Sequence, residues 1–213
     1  MPPCGVDRAK NLRSSCDYVT SVTRFELESV RSVRLLRLVS NDGTNRLTRD
    51  CVTSLTKRIS ALAREQTPLV IAGNERYFSA GAELQEIAEL NGPAAHVFSK
   101  LGQELMAGIE DFPAPVCAAI SGYCMGGGLD LALACRRRVA SPNAVFGHRG
   151  AALGLVTGWG GTQRLPRVIG KPRALALFVA AEKLTAEESW QLGLIDCIAE
   201  NPVAEAIRLL ESP

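Results

Sequence analysis

Residues 115–135 read PVCAAISGYCMGGGLDLALAC, and the fold is decided there. Val116 to Ile120 is a short apolar run between Pro115 and Ser121-Gly122, the pattern of a strand buried on both faces. A Gly-rich turn over 121–128 follows, and Leu129 to Ala134 begins a helix. The first amides of such a helix have no intrahelical partner and carry the positive end of its dipole. Glycine at Gly126-Gly127-Gly128 lets a ligand oxygen approach them, because no Cβ stands in the way. Asp130, three residues after Gly127, lies one turn on and on the same face. A carboxylate beside free amides is the arrangement needed to move a proton next to a polarised carbonyl. A first-turn Asp is also what the helix dipole alone favours.

Working outward, the same alternation recurs. Thr23 to Ser40 reads as two strands with Arg31 and Ser32 near the turn. From Thr48 a helix carries Val52, Leu55, Ile59 and Leu62 at three- and four-residue steps until Pro68. Leu69 to Ala72 reads as a buried strand, and Phe78 to Ala82 as a small-residue loop. Short and long helices follow around Leu84–Leu90 and Ala94–Ile109. Arg138 to Val145 reads as strand, Pro142-Asn143 turn and strand. Gly154 to Gly161 is a loop, and helices are expected around Lys171–Ala181 and Ala186–Leu192. Strands alternating with helices make the class α/β. The loop at Ala80-Gly81, like Gly126–Gly128, comes just after a buried strand. It offers a second amide, and two converging N–H groups would form an oxyanion hole.

Composition bounds the rest. A chain of 213 residues supports one domain with a sizeable core. We expect an irregular segment over 1–22 and a domain over 23–213. Lys+Arg of 24 against Asp+Glu of 22 gives a net charge of +2, which predicts no nucleic-acid partner. The apolar runs are too short to span a bilayer, so no membrane partner is expected, and the N-terminus lacks the apolar core of a secretory signal. The seven cysteines contain no C-x-x-C pair and are odd in number, which fits a reducing, cytoplasmic setting rather than a zinc or disulfide framework. No G-x-G-x-x-G follows a strand, and Gly170-Lys171 lacks the upstream glycine of a phosphate loop.

Three segments resemble the crotonase family, also called the enoyl-CoA hydratase/isomerase family, and the likeness runs from about Thr23 to Ile198. LVIAGNERYFSAGAEL at 69–84 is similar to the family's strand and F-S-A-G-A-[DE]-L loop. Residues 115–135 are similar to its Gly-Gly-Gly signature, and LGLVTGWGGTQRLPRVIG at 153–170 to its G-G-T-Q-R-L-P-R segment. The resemblance implies a crotonase-like spiral of ββα units with a shortened C-terminal helical region, since relatives usually continue past Leu210. It implies acyl-coenzyme A thioester substrates, assembly as a homotrimer or dimer of trimers, and no metal or separate cofactor, coenzyme A being part of the substrate. The two oxyanion amides then fall on Ala80 and Gly127, and Ala80-Gly81-Ala82-Glu83 would lie along the thioester.

In hydratases of this family two glutamates hold the attacking water. The first position falls on Asp130 and the second on Gly150, so one acid is kept and the other is lost. Thr157 stands where proline is common. The function implied is hydration of 2-enoyl-CoA or double-bond isomerisation. The alternative is a catalytically silent thioester binder. His148 is the nearest substitute acid or base, although a lone loop His more often bonds locally. Cys124 reads as packing rather than as a nucleophile, Glu83 and Glu86 as a solvated helix face, and Arg136–Arg138 as solvated or capping. Trp159 lines an acyl pocket or packs beneath the Gly loop.

Overall fold

The computed structural model describes residues 22–212, so the irregular segment expected over 1–22 lies almost wholly outside the described residues. Strands β1 (Thr23–Val30) and β2 (Val33–Ser40) pair antiparallel from Thr23↔Ser40 to Val30↔Val33. Arg31 turns between them with φ +54°. After β3 (Arg46–Leu47), Thr48 caps α1 (Arg49–Ala63) by accepting the Cys51 N–H, and the apolar stripe expected from its spacing is buried. Next come β4 (Leu69–Ala72), β5 (Tyr77–Ser79), β6 (Gly81–Ala82), α2 (Leu84–Ala88) and α3 (Gly92–Glu110). The central stretch gives β7 (Val116–Ile120), β8 (Tyr123–Met125) and α4 (Gly127–Ala134). The chain continues through β9 (Arg137–Ala140), β10 (Val145–Gly147), a 3₁₀ turn (Gly150–Leu153), α5 (Gly161–Ile169) and α6 (Lys171–Ala180). It closes with β11 (Lys183–Thr185), α7 (Ala186–Gln191), β12 (Cys197–Ile198) and α8 (Pro202–Glu211).

The strands form two main sheets and a small two-stranded one, β3-β6. A six-stranded sheet runs β1-β2-β4-β7-β9-β12, parallel from β2 onward, and a four-stranded sheet runs β11-β10-β8-β5. The central turns, β4–β5, β7–β8 and β9–β10, each place one strand in each main sheet. Alternation along the central strands explains their unbroken hydrophobicity. Leu69 and Ile71 of β4, with Val116, Ala118 and Ile120 of β7, enter the main core beneath α1, α3 and α4. Val70, Ala72, Cys117 and Ala119 face a second cluster closed by Ala206 and Ile207 of α8.

Several elements differ from the sequence reading. The turn over 121–128 contains β8, and the loop over 78–82 contains the ends of β5 and β6. These strands are held by neighbours far along the chain: β8 pairs with β10 and β5, and β6 with β3. The helix expected from Leu129 starts at Gly127, which brings that residue's amide to the first helical position. Helices α5 and α8 and strands β11 and β12 had no reading in the sequence.

Candidate active site

Two glycine turns abut at the N-terminus of α4. A Cβ on Gly81 would stand 2.6 Å from Met125 O and 2.9 Å from Gly127 N, and the residue's φ of +94° also demands glycine. A Cβ on Gly127 would stand 3.2 Å from Ala82 N. The amides of Ala82 and Gly127 therefore share one small volume. Gly127 opens α4, so its N–H has no intrahelical acceptor.

The Ala80 amide does not join them. It donates to Thr44 O at 2.9 Å and is consumed by main chain. The Gly81 amide is likewise taken, by Ser79 Oγ at 3.1 Å. This corrects the assignment of Ala80 as a free donor. The next alanine in the same loop, Ala82, is the one beside Gly127. Glu83 also departs from a thioester-lining role. It caps α2 through Gln85 N and pairs with Arg46 at 3.1 Å. Glu86 is not simply solvated, because its carboxylate accepts the Arg49 N–H at the start of α1.

Asp130 is 1% exposed, and its carboxylate is held on both oxygens. His148 Nε2 donates to Oδ1 at 3.0 Å, and the Thr157 hydroxyl donates to Oδ2 at 2.5 Å. A third support comes from α5. Its first residue is Gly161, where a Cβ would stand only 2.2 Å from Asp130 Oδ1 and 2.9 Å from His148 Nε2. The positive end of the α5 dipole thus faces the acid. Isolated burial of a carboxylate costs several kcal/mol, and these three partners offset it. His148 is itself buried, with its ring 5.3 Å from that of Phe178. Its partner is not a loop neighbour but Asp130 of α4, eighteen residues earlier in the chain.

Gly150 opens the 3₁₀ turn, and no side chain fits there unaided. A Cβ would start 2.8 Å from Leu155 O, and Leu155 N closes the same turn on Gly150 O at 2.8 Å. Where the family resemblance leads one to seek a second acid, backbone crowds the space a side chain would enter.

Trp159 is packed beneath the Gly loop. It is 3% exposed, slotted between Gly102 of α3 and Gly127 of α4, with Nε1 donating to Phe98 O at 3.2 Å. Cys124 is fully buried, its Sγ donates to Gly128 O, and burial pushes its thiol well up, so no thiolate nucleophile is available there. Arg138 caps: its guanidinium donates to Cys135 O and Leu194 O, both at 2.7 Å. Sequence reasoning missed Thr157 and Gly161 as partners of Asp130. The hydroxyl at Thr157, where the family resemblance leads one to expect proline, was the available signal.

The comparisons agree with this architecture. The family description Enoyl-CoA hydratase/isomerase matches residues 28–211. The chain is 42% identical over 134 residues to a Bacillus subtilis (strain 168) protein named "Probable enoyl-CoA hydratase", covering 62% of this chain and 52% of that protein. It is 33% identical over 177 residues to a "Crotonyl-CoA hydratase" of Syntrophomonas wolfei, covering 82% of this chain and 68% of that one. The crystal structure of an enoyl-CoA hydratase from Bacillus anthracis superposes with a TM-score of 0.83 at 30% identity, covering 88% of this chain and 75% of that chain. The match therefore spans about half of the first relative's length and about two thirds of the second's.

Proposed function

Because the chain belongs to the enoyl-CoA hydratase/isomerase family, we propose that it acts on acyl-coenzyme A thioesters through an enolate held in an oxyanion hole. The reading rests on one observation, the closeness of the Ala82 amide nitrogen to Gly127, with Asp130 one helical turn on in α4. Asp130 takes a proton from the carbon next to the thioester carbonyl, and the charge passes to the carbonyl oxygen between the two amides. His148 and Thr157 fix the carboxylate while it does so. The hole supplies about 3 kcal/mol per donor where such donors have been removed. Coenzyme A enters as part of the substrate, and the chemistry calls on no metal.

Of hydration and double-bond isomerisation, the closed Gly150 position favours isomerisation. One carboxylate removes the proton from the α-carbon of a 3-enoyl thioester and returns it to the γ-carbon, so no water need be held. The test is to incubate the protein with 3-butenoyl-CoA and with crotonyl-CoA. We expect conversion of the first to crotonyl-CoA and slow or no hydration of the second. Efficient hydration of crotonyl-CoA would overturn the single-acid mechanism. The near-complete burial of Asp130 favours the second reading, a silent thioester binder. Binding of butyryl-CoA with neither reaction would establish it.

The proposed setting is cytoplasmic. Among the described residues no helix is long and apolar enough to cross a membrane. Assembly as a homotrimer or dimer of trimers is supported by Leu153, Val156, Leu175 and Val179, large apolar residues 58–80% exposed on the 150–156 turn and α6. Light scattering that returned a monomer would refute it.

A further inference from the structure

Trp159 stands against the candidate oxyanion hole, and nothing in the proposed proton transfer uses it. The point where a Cβ on Gly127 would sit is 2.6 Å from Trp159 Cζ3 and 3.2 Å from Ala82 N. The six-membered edge of the indole therefore packs directly on Gly127, close to the Ala82 amide. The opposite edge of the ring reaches α3, where a Cβ on Gly102 would stand 2.2 Å from Cδ1. Two glycines on two different helices thus leave room for one indole, and either would collide with it if replaced by alanine.

The ring is also fastened. Its Nε1 donates to Phe98 O, and its rings lie 5.2 Å from that of Phe98 at a tilt of 42°. The loop that carries it is strapped to α3 by Gln103 Nε2, which donates to Gly158 O at 2.8 Å. Arg164 Nη1 donates to Trp159 O at 3.3 Å and its guanidinium pairs with Glu110 of α3 at 2.6 Å. A side chain held at both edges and along its backbone is a fixed wall, not a movable flap.

We propose that Trp159 is a specificity-determining residue that restricts the acyl group to short chains, because the indole fills the space between α3 and the N-terminus of α4. The inference rests on the thioester reading above and names its substrate class. A butyryl chain ends beside the ring. An octanoyl chain, its carbonyl oxygen seated between Ala82 and Gly127, meets the indole and the α3 surface behind it.

Binding of two unreactive saturated thioesters, butyryl-CoA and octanoyl-CoA, tests this without relying on turnover. Calorimetric titrations use the full chain, as wild type, Trp159→Ala and Trp159→Leu. Wild type is expected to prefer butyryl-CoA. Trp159→Ala is expected to move the preference toward octanoyl-CoA by about tenfold or more, since filling an apolar pocket with even one methylene is worth about tenfold. Trp159→Leu leaves a smaller void and should give an intermediate shift. It carries the comparison if the alanine variant does not fold. Equal affinity of wild type for both thioesters, or a preference unchanged in the folded variants, would overturn the role of Trp159 while leaving the thioester reading intact. Failure of wild type to bind either one would overturn that reading and this inference with it.

Discussion

Asp130 and Gly150 occupy the positions of the two acids that the family resemblance leads one to seek, and their surroundings are opposite. Asp130 is enclosed by His148, Thr157 and the start of α5, so each carboxylate oxygen has a donor. Gly150 is crowded by main chain, with Leu155 O 2.8 Å from where a Cβ would sit. One end of the site is built around a carboxylate, and at the other a closed turn leaves little room for a side chain. The lesson is that a lost acid need not leave a vacancy that water or a neighbouring residue can fill. His148 is two residues before Gly150, yet its Nε2 is directed to Asp130 rather than to a separate post opposite it.

The sharpest way to break this contrast is Asp130→Asn. The amide keeps the shape of the carboxylate but cannot take a proton, so proton transfer at the α-carbon should fall by about 10²–10⁴-fold, the usual contribution of a positioned acid or base. Isomerisation of 3-butenoyl-CoA measures it, with binding of butyryl-CoA as the control for an intact hole. Activity within a few-fold of wild type would move the chemistry off Asp130 altogether.

A smaller effect is expected at the other end. Gly150→Glu restores the residue type that hydratases of the family carry, and yet should not create a hydratase. The new Cβ collides with Leu155 O, and the turn closed by Leu155 N must open to admit it. Overpacking of this kind costs about 1–3 kcal/mol. A lowered urea midpoint without gain in crotonyl-CoA hydration is the expected result. A stable variant that hydrates crotonyl-CoA would show that the 150–155 turn yields readily and that the contrast between the two positions is shallow.

How far the sequence could be read follows the same division between local and distant causes. The β7–α4 unit was legible because its evidence is contiguous: a buried apolar run, three glycines, then Asp130. The α1 stripe was legible from its spacing alone. Strand β8 was not, because three residues between Gly122 and Gly126 show no periodicity and only pairing with β5 and β10 makes them a strand. Helix α5 was hidden by Pro166 within it and by the glycines at its start. Gly127 and Asp130 could be named as candidates from sequence, but the choice between Ala80 and Ala82 could not be made. It depends on Thr44, a residue in a preceding turn whose carbonyl claims the Ala80 amide. A loop of small residues gives no internal sign of which amide will be left over.

The smallest expected effect lies within the Asp130 enclosure itself, at Thr157. Thr157→Val keeps the branched shape and removes only the hydroxyl that donates to Oδ2. His148 and α5 still face Oδ1, so the acid stays buried but one of its oxygens loses its donor. A hydrogen bond to a charged group is worth about 1.5–3 kcal/mol, and partial compensation by the remaining partners should leave a loss near the lower end, about tenfold in rate. If Thr157 positions Asp130, the loss falls on kcat with KM little changed, and Thr157→Ser, which returns the hydroxyl, recovers most of it. A purely structural role would instead lower the melting temperature of the serine and valine variants together, with no recovery of kcat. Should Thr157→Val match wild type in both, Asp130 would be held by His148 and α5 alone, and the enclosure that sets it apart from Gly150 would be thinner by one wall.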